Sequence, residues 1–134
     1  MGGVLTERLM NAILAGDASA VVALLRAGAD PVAPDSEGTT PLYLASVQGE
    51  AEVALLLLEA GASPDAESGH GDQGTPLCGA TAHGHADTVR VLLEHGADPN
   101  LREDRGTGQA PLYWATLSGD SRTVELLRAA GARD

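Results

Sequence analysis

Aromatic side chains make up 2% of the 134 residues, and phenylalanine is absent. Although 43% of the chain is hydrophobic, its core must therefore be built from Leu, Val and Ala. Small side chains suit thin layers of closely approaching helices better than a bulky globule with one centre. Cysteine is almost absent too. Cys78 alone cannot close an internal disulfide, which fits a reducing compartment and predicts a cytoplasmic protein. Basic residues number 8 against 19 acidic ones, a formal charge of −11. Nucleic acids and anionic membranes need a cationic face, so neither is expected as a partner. An acidic chain either meets a basic partner or simply stays soluble, and composition leaves both readings open. No apolar run approaches the roughly 20 residues of a membrane-spanning helix; runs such as Val53 to Leu58 are short. The opening "MGGVLTER" lacks a basic stretch followed by a long apolar core, so it does not read as a signal peptide. Gly2 and Thr6 fit a loose myristoylation pattern that chance often produces.

What the chain has is a repeat. "PLYLASVQGEAEVALLLLEAGASPD" from Pro41, "PLCGATAHGHADTVRVLLEHGADPN" from Pro76 and "PLYWATLSGDSRTVELLRAAGARD" from Pro111 stand 35 residues apart. A looser copy, "LMNAILAGDASAVVALLRAGADPV", begins at Leu9. The Gly-Ala pairs at Gly28, Gly61, Gly96 and Gly131 follow at intervals of 33, 35 and 35. Periods of this size mean stacked supersecondary units. Each unit reads as two helices. Thr40 or Thr75 caps the first, with Pro at its first helical position, where a missing N–H costs nothing. Gly49, Gly84 and Gly119 end the first helix. The second shows a 3.6-residue period, as in Val89, Leu92 and Leu93. It stops at the Gly-Ala glycine, and Pro31, Pro64 and Pro99 forbid a restart. The polar stretch that follows reads as an exposed turn.

These stretches resemble ankyrin repeats, whose signature is Thr-Pro-Leu-His-x-Ala, Gly-His, Val-x-Leu-Leu and Gly-Ala-Asp. The resemblance runs from about Leu5 to the C-terminus and implies an all-α solenoid of helix-turn-helix pairs with projecting hairpin loops, or fingers. The expected organisation is one domain, residues 1–134, with repeats at about 5–37, 38–72, 73–107 and 108–134. Tyr43, Cys78 and Tyr113 replace the signature His, and Ala110 replaces the Thr of the last copy. The fingers "ESGHGDQG" and "EDRGTGQ" each carry two residues more than the first. Extra length there is either neutral, since loops lengthen cheaply, or it shapes a recognition surface. At the ends of the array, polar residues enter the first copy, and Arg128 takes the place held by Leu25, Leu58 and Leu93. Arg128 is thus expected at the surface and Leu93 in the core, as in a self-sufficient array of four repeats.

Fold class alone says little about chemistry. His70, His83, His85 and His95 read as structural or solvated: His83 and His85 lack the spacing of a helical zinc pair, and no metal site is expected. Neither a phosphate-binding glycine loop nor a nucleophile elbow is present, and no cofactor is expected. The ladder Tyr43–Cys78–Tyr113, with Gly79 and Trp114 beside it, is more suggestive. Gly79 inside a helix either leaves room for Trp114 or floors a notch. Finger carboxylates such as Glu37, Asp72 or Asp104 would overhang that notch, as a small-molecule binder or acid–base enzyme requires. Against this stands the expectation carried by the resemblance: a non-catalytic, monomeric module that binds another protein, for which a basic surface is one of the two readings the acidic charge leaves open. It would use the concave face and fingers through Ser36, Glu37, Thr39, Val47, Gln48, Asp72, Gln73, Ala82, His83, Arg105, Gln109, Leu117 and Ser118. Tyr43 and Tyr113 are the expected hot spots.

Overall fold

The computed structural model describes residues 2–70 and 72–133. Nine helical segments occur among them: α1 (Gly2–Leu14), α2 (Ala18–Arg26), α3 (Pro41–Gln48), α4 (Ala51–Glu59), α5 (Pro76–Ala82), α6 (Ala86–Glu94), α7 (Glu103–Gly106), α8 (Pro111–Ser118) and α9 (Ser121–Ala129). α1, α3, α5 and α8 form an inner row, and α2, α4, α6 and α9 an outer row. Each inner helix packs on the next and on the outer helix that follows it, so the four pairs make an all-α solenoid.

Local chemistry sets the helix ends. The Thr40 and Thr75 hydroxyls accept from the backbone N–H of Tyr43 and Cys78, at 3.3 and 3.2 Å, satisfying donors that a helix start leaves orphaned. Ala110 cannot do this, and α8 has no side-chain cap. α3 and α8 end on Gly49 and Gly119, both left-handed, with φ of 73° and 74°. α5 has His83 as its cap residue, with Gly84 next in line.

The core is aliphatic, as the scarcity of aromatics requires. Leu9, Ile13, Val21, Val53, Leu57, Leu77, Val89, Leu92 and Leu127 are almost completely enclosed. Leu93, expected in the core, is only half-buried. The deep position of the outer helices lies one residue earlier, at Leu57, Leu92 and Leu127; the next residue is still buried at Leu58 but only half-buried at Leu93. Arg128 is exposed, yet it replaces a residue that was only half-buried at Leu25 and Leu93. Two buried hydroxyls, on Ser46 and Thr81, donate to the carbonyls of Leu42 and Leu77 at 2.7 Å each.

The fingers leave one edge. The finger before α5 is closed by an isolated bridge between Ser68 and Gly74. The finger before α8 contains α7, a turn whose Asp104 and Arg105 lie in the left-handed region at φ 53° and 57°. Nothing in the sequence reading anticipated that turn.

Candidate partner-binding surface

The candidate surface starts at the fingers, which are tied to one another. In the first, Asp35 Oδ1 accepts from the backbone N–H of Glu37 and Thr39, at 2.9 and 3.0 Å. Ser36 and Glu37 are left exposed at the tip. The second finger locks onto it. Gly69 N–H donates to the Gly38 carbonyl at 2.8 Å, Gln73 Nε2 donates to Thr39 Oγ1 at 2.8 Å, and Thr40 N–H donates to Ser68 Oγ at 2.9 Å. Asp72 is exposed, and its carboxylate accepts from His70 N–H at 3.0 Å. The third finger is held by Arg105 N–H, which donates to Glu67 Oε1 at 2.6 Å. The extra length in the second and third fingers is thus folded into a continuous strip.

On the inner helices, several expected contact residues are committed internally. Gln48 Nε2 donates to the Ile13 carbonyl at 2.8 Å, which ties the second repeat to the first. His83 is exposed, but its Nδ1 lies 2.9 Å from the Gly79 carbonyl of its own helix. Ala82 is exposed, as is Ser118, whose hydroxyl donates to the Ala115 carbonyl at 3.1 Å. Tyr43 and Val47 are half-buried. Tyr113 and Leu117, their counterparts in the last repeat, are 45% and 67% exposed. Together with Gln109 they line an open concavity of about 780 Å³ at the C-terminal end of the stack.

The residues expected to form a notch do come together, but differently. Gly79 does not seat Trp114. A Cβ on Gly79 would lie 2.8 Å from Val47 Cγ1 and 3.0 Å from Tyr43 Cε1, so the glycine makes room for the preceding repeat. Those side chains fill the space a notch would need. Cys78 is 1% exposed, and its thiol donates to the Gln109 carbonyl at 3.6 Å. Burial, with the Glu103 carboxylate adding to it, pushes the thiol pKa up to about 12. A thiol held protonated and covered is a poor nucleophile. Trp114 instead stands edge-on to Tyr113, with ring centres 5.1 Å apart.

The carboxylate that meets Cys78 and Trp114 is Glu103, which was not among the expected Glu37, Asp72 and Asp104. Burial and the neighbouring Asp104 raise its pKa, against the opposing pull of Trp114 and Cys78. The Trp114 indole N–H is close enough to exert that pull, yet it is buried without meeting hydrogen-bond geometry. Tyr43 is also raised, first by burial and then by Glu103. Sequence reasoning missed Glu103 because only the left-handed turn behind it determines which finger carboxylate folds inward.

A family model described as ankyrin repeats (3 copies) matches residues 7–68 and again 65–133. The chain belongs to the ankyrin-repeat family. Ankyrin repeats generally serve as protein–protein interaction modules. No curated protein matches this ankyrin-repeat chain at a significant level. Its histidines are used between or within repeats: His85 Nε2 lies 3.0 Å from the Val47 carbonyl of the preceding repeat, and His95 Nδ1 lies 3.0 Å from the Val91 carbonyl. No group of three or more His, Cys, Asp or Glu with metal-binding geometry occurs among the described residues, and no described helix is long and apolar enough to cross a membrane.

Proposed function

We propose that this ankyrin-repeat protein binds a partner with a basic surface along the finger strip and the adjoining inner-helix edge, as a cytoplasmic monomer. The observation that supports this reading is the interlocking of the fingers. Bonds from Gly69 to Gly38, Gln73 to Thr39 and Arg105 to Glu67 hold three loops in one arrangement. A surface ordered in advance loses little conformational freedom on binding. Thr39, Gln73 and Gln48 build the platform, whereas Ser36, Glu37, Asp72 and Arg105 are exposed on it. Two of these are acidic, and exposed charge acts chiefly on the rate of encounter.

The test is a Glu37→Lys/Asp72→Lys variant. Its association rate with the partner recovered from the native cell should fall, and wild-type affinity should weaken as salt rises, because exposed pairs are screened. An unchanged association rate and an affinity independent of salt would assign the −11 charge to solubility and remove the basic partner.

A further inference from the structure

We propose that Ser63 is a phosphoacceptor site for a proline-directed serine/threonine kinase, built into the turn that follows α4. Three hydroxyl residues of the chain precede a proline: Thr40, Ser63 and Thr75. Thr40 and Thr75 are helix caps whose hydroxyls accept from the backbone N–H of Tyr43 and Cys78, and Thr75 is 2% exposed. Ser63 is exposed and lies outside any helix. Its Oγ accepts from Asp65 N–H at 3.3 Å, and its hydroxyl proton meets no acceptor among the described residues.

Pro64 supplies the selectivity. It has no N–H, so it suits a kinase cleft that offers the following residue an apolar wall and no acceptor. A residue before proline is also held extended, which is how a substrate segment lies in such a cleft.

The position is one where the other repeats carry negative charge. Ser63 stands in the place of Asp30 and Asp98, which follow the Gly-Ala pairs of the first and third repeats. Asp30 Oδ1 accepts from Val32 N–H and Asp98 Oδ1 from Asn100 N–H, both at 2.9 Å. The second repeat makes the same turn with a hydroxyl and a longer bond. A phosphate brings roughly two negative charges at pH 7 and three acceptor oxygens. It therefore gives that N–H an anionic acceptor, the stronger kind. The two acids of the turn are already engaged: Asp65 accepts from Asp98 N–H at 3.0 Å and Glu67 from Arg105 N–H at 2.6 Å. Modification thus changes the charge of a turn whose backbone keeps the form of its two aspartate counterparts. In the transfer, Ser63 Oγ attacks the terminal phosphorus of a nucleoside triphosphate, its proton passes to the base of the kinase, and the nucleoside diphosphate leaves with the electron pair of the broken P–O bond.

The experiment incubates the whole protein with a proline-directed kinase, magnesium and ATP, and maps the phosphate by fragment mass spectrometry. A short peptide carrying the Ser63-Pro64 stretch runs beside it. Peptide and protein should both accept phosphate at Ser63, and the protein should accept none at Thr40 or Thr75. Ser63→Ala should abolish labelling and Ser63→Thr should keep it. In protein and peptide alike, Pro64→Ala should slow labelling roughly tenfold or more, the rate equivalent of one N–H left unpaired in the kinase cleft. Ser63→Asp, which copies Asp30 and Asp98, should melt with wild type. Labelling of the peptide but not of the protein, labelling of neither, or phosphate on Thr40 or Thr75 of the folded chain would overturn the proposal. So would a rate indifferent to Pro64→Ala, or a destabilised Ser63→Asp. None of these variants alters Glu37 or Asp72, so the site stands or falls apart from the finger strip.

Discussion

The joint between the second and third repeats and the last described repeat are built on the same pattern, but among the described residues only the first has a further repeat packed against it. In the joint, Tyr43 and Val47 press on Gly79, and the His85 ring lies over Gly49, 2.5 Å from where a Cβ would stand. At the end, Tyr113 and Leu117 hold the same positions in the open, and a Cβ on Gly119 would meet nothing within 4 Å. Gly49 and Gly119 have nearly the same φ, 73° and 74°. The difference shows that in an array the environment of a residue is set by the repeat beside it, more than by its own identity.

Alanine at the two glycines tests this most severely. Gly119→Ala should cost about 1–2 kcal/mol, the penalty for a left-handed residue with a Cβ. Gly49→Ala should cost roughly 1–3 kcal/mol more, because it must also displace His85 from the Val47 carbonyl. Equal losses in denaturant melts would mean that crowding from the next repeat contributes nothing.

Gly79 offers a smaller effect of the same kind. Its backbone is helical, so alanine gains about 1 kcal/mol of helix propensity against about 1–3 kcal/mol of overpacking. The net should be a modest loss, which Val47→Ala in the same chain offsets through coupling between touching residues. Pairing Gly79→Ala with a Trp114 substitution should show no such coupling. Coupling to Trp114 rather than to Val47 would mean that Gly79 makes room for Trp114 after all.

The smallest effect concerns Glu103, which bridges the two regions. Its folded pKa is raised, so its ionisation opposes folding. That cost is complete above the raised folded pKa and gone below the unfolded value, near about pH 4. Glu103→Gln should therefore melt slightly above wild type at neutral pH, with the gap closing as the pH falls. A gap that widened on acidification would mean that the carboxylate is stabilised where it lies.

Much of the fold was legible because the signals for it are local. Thr40 and Thr75 cap helices through bonds spanning three residues, and the Gly-Ala pairs end helices by backbone conformation alone. Depth of burial was less legible: Leu92 and Leu93 are adjacent and alike, and the angle at which α6 meets α4 and α9 places one inside and the other at the rim. The finger residues lie in loops tied to one another, but the sequence could not separate platform from exposed surface. Thr39 and Gln73 spend their polar groups on each other across 34 residues.

By itself, the sequence determined the period, the helix pairs, the aliphatic core and the ankyrin family, since each follows from spacing and from bonds within a few residues. Only the tertiary structure decided that Gly79 serves Tyr43 and Val47, that Cys78 is sealed and that Glu103 turns inward. These depend on contacts between residues about one repeat apart, where the stacking of one helix pair on the next decides what meets what.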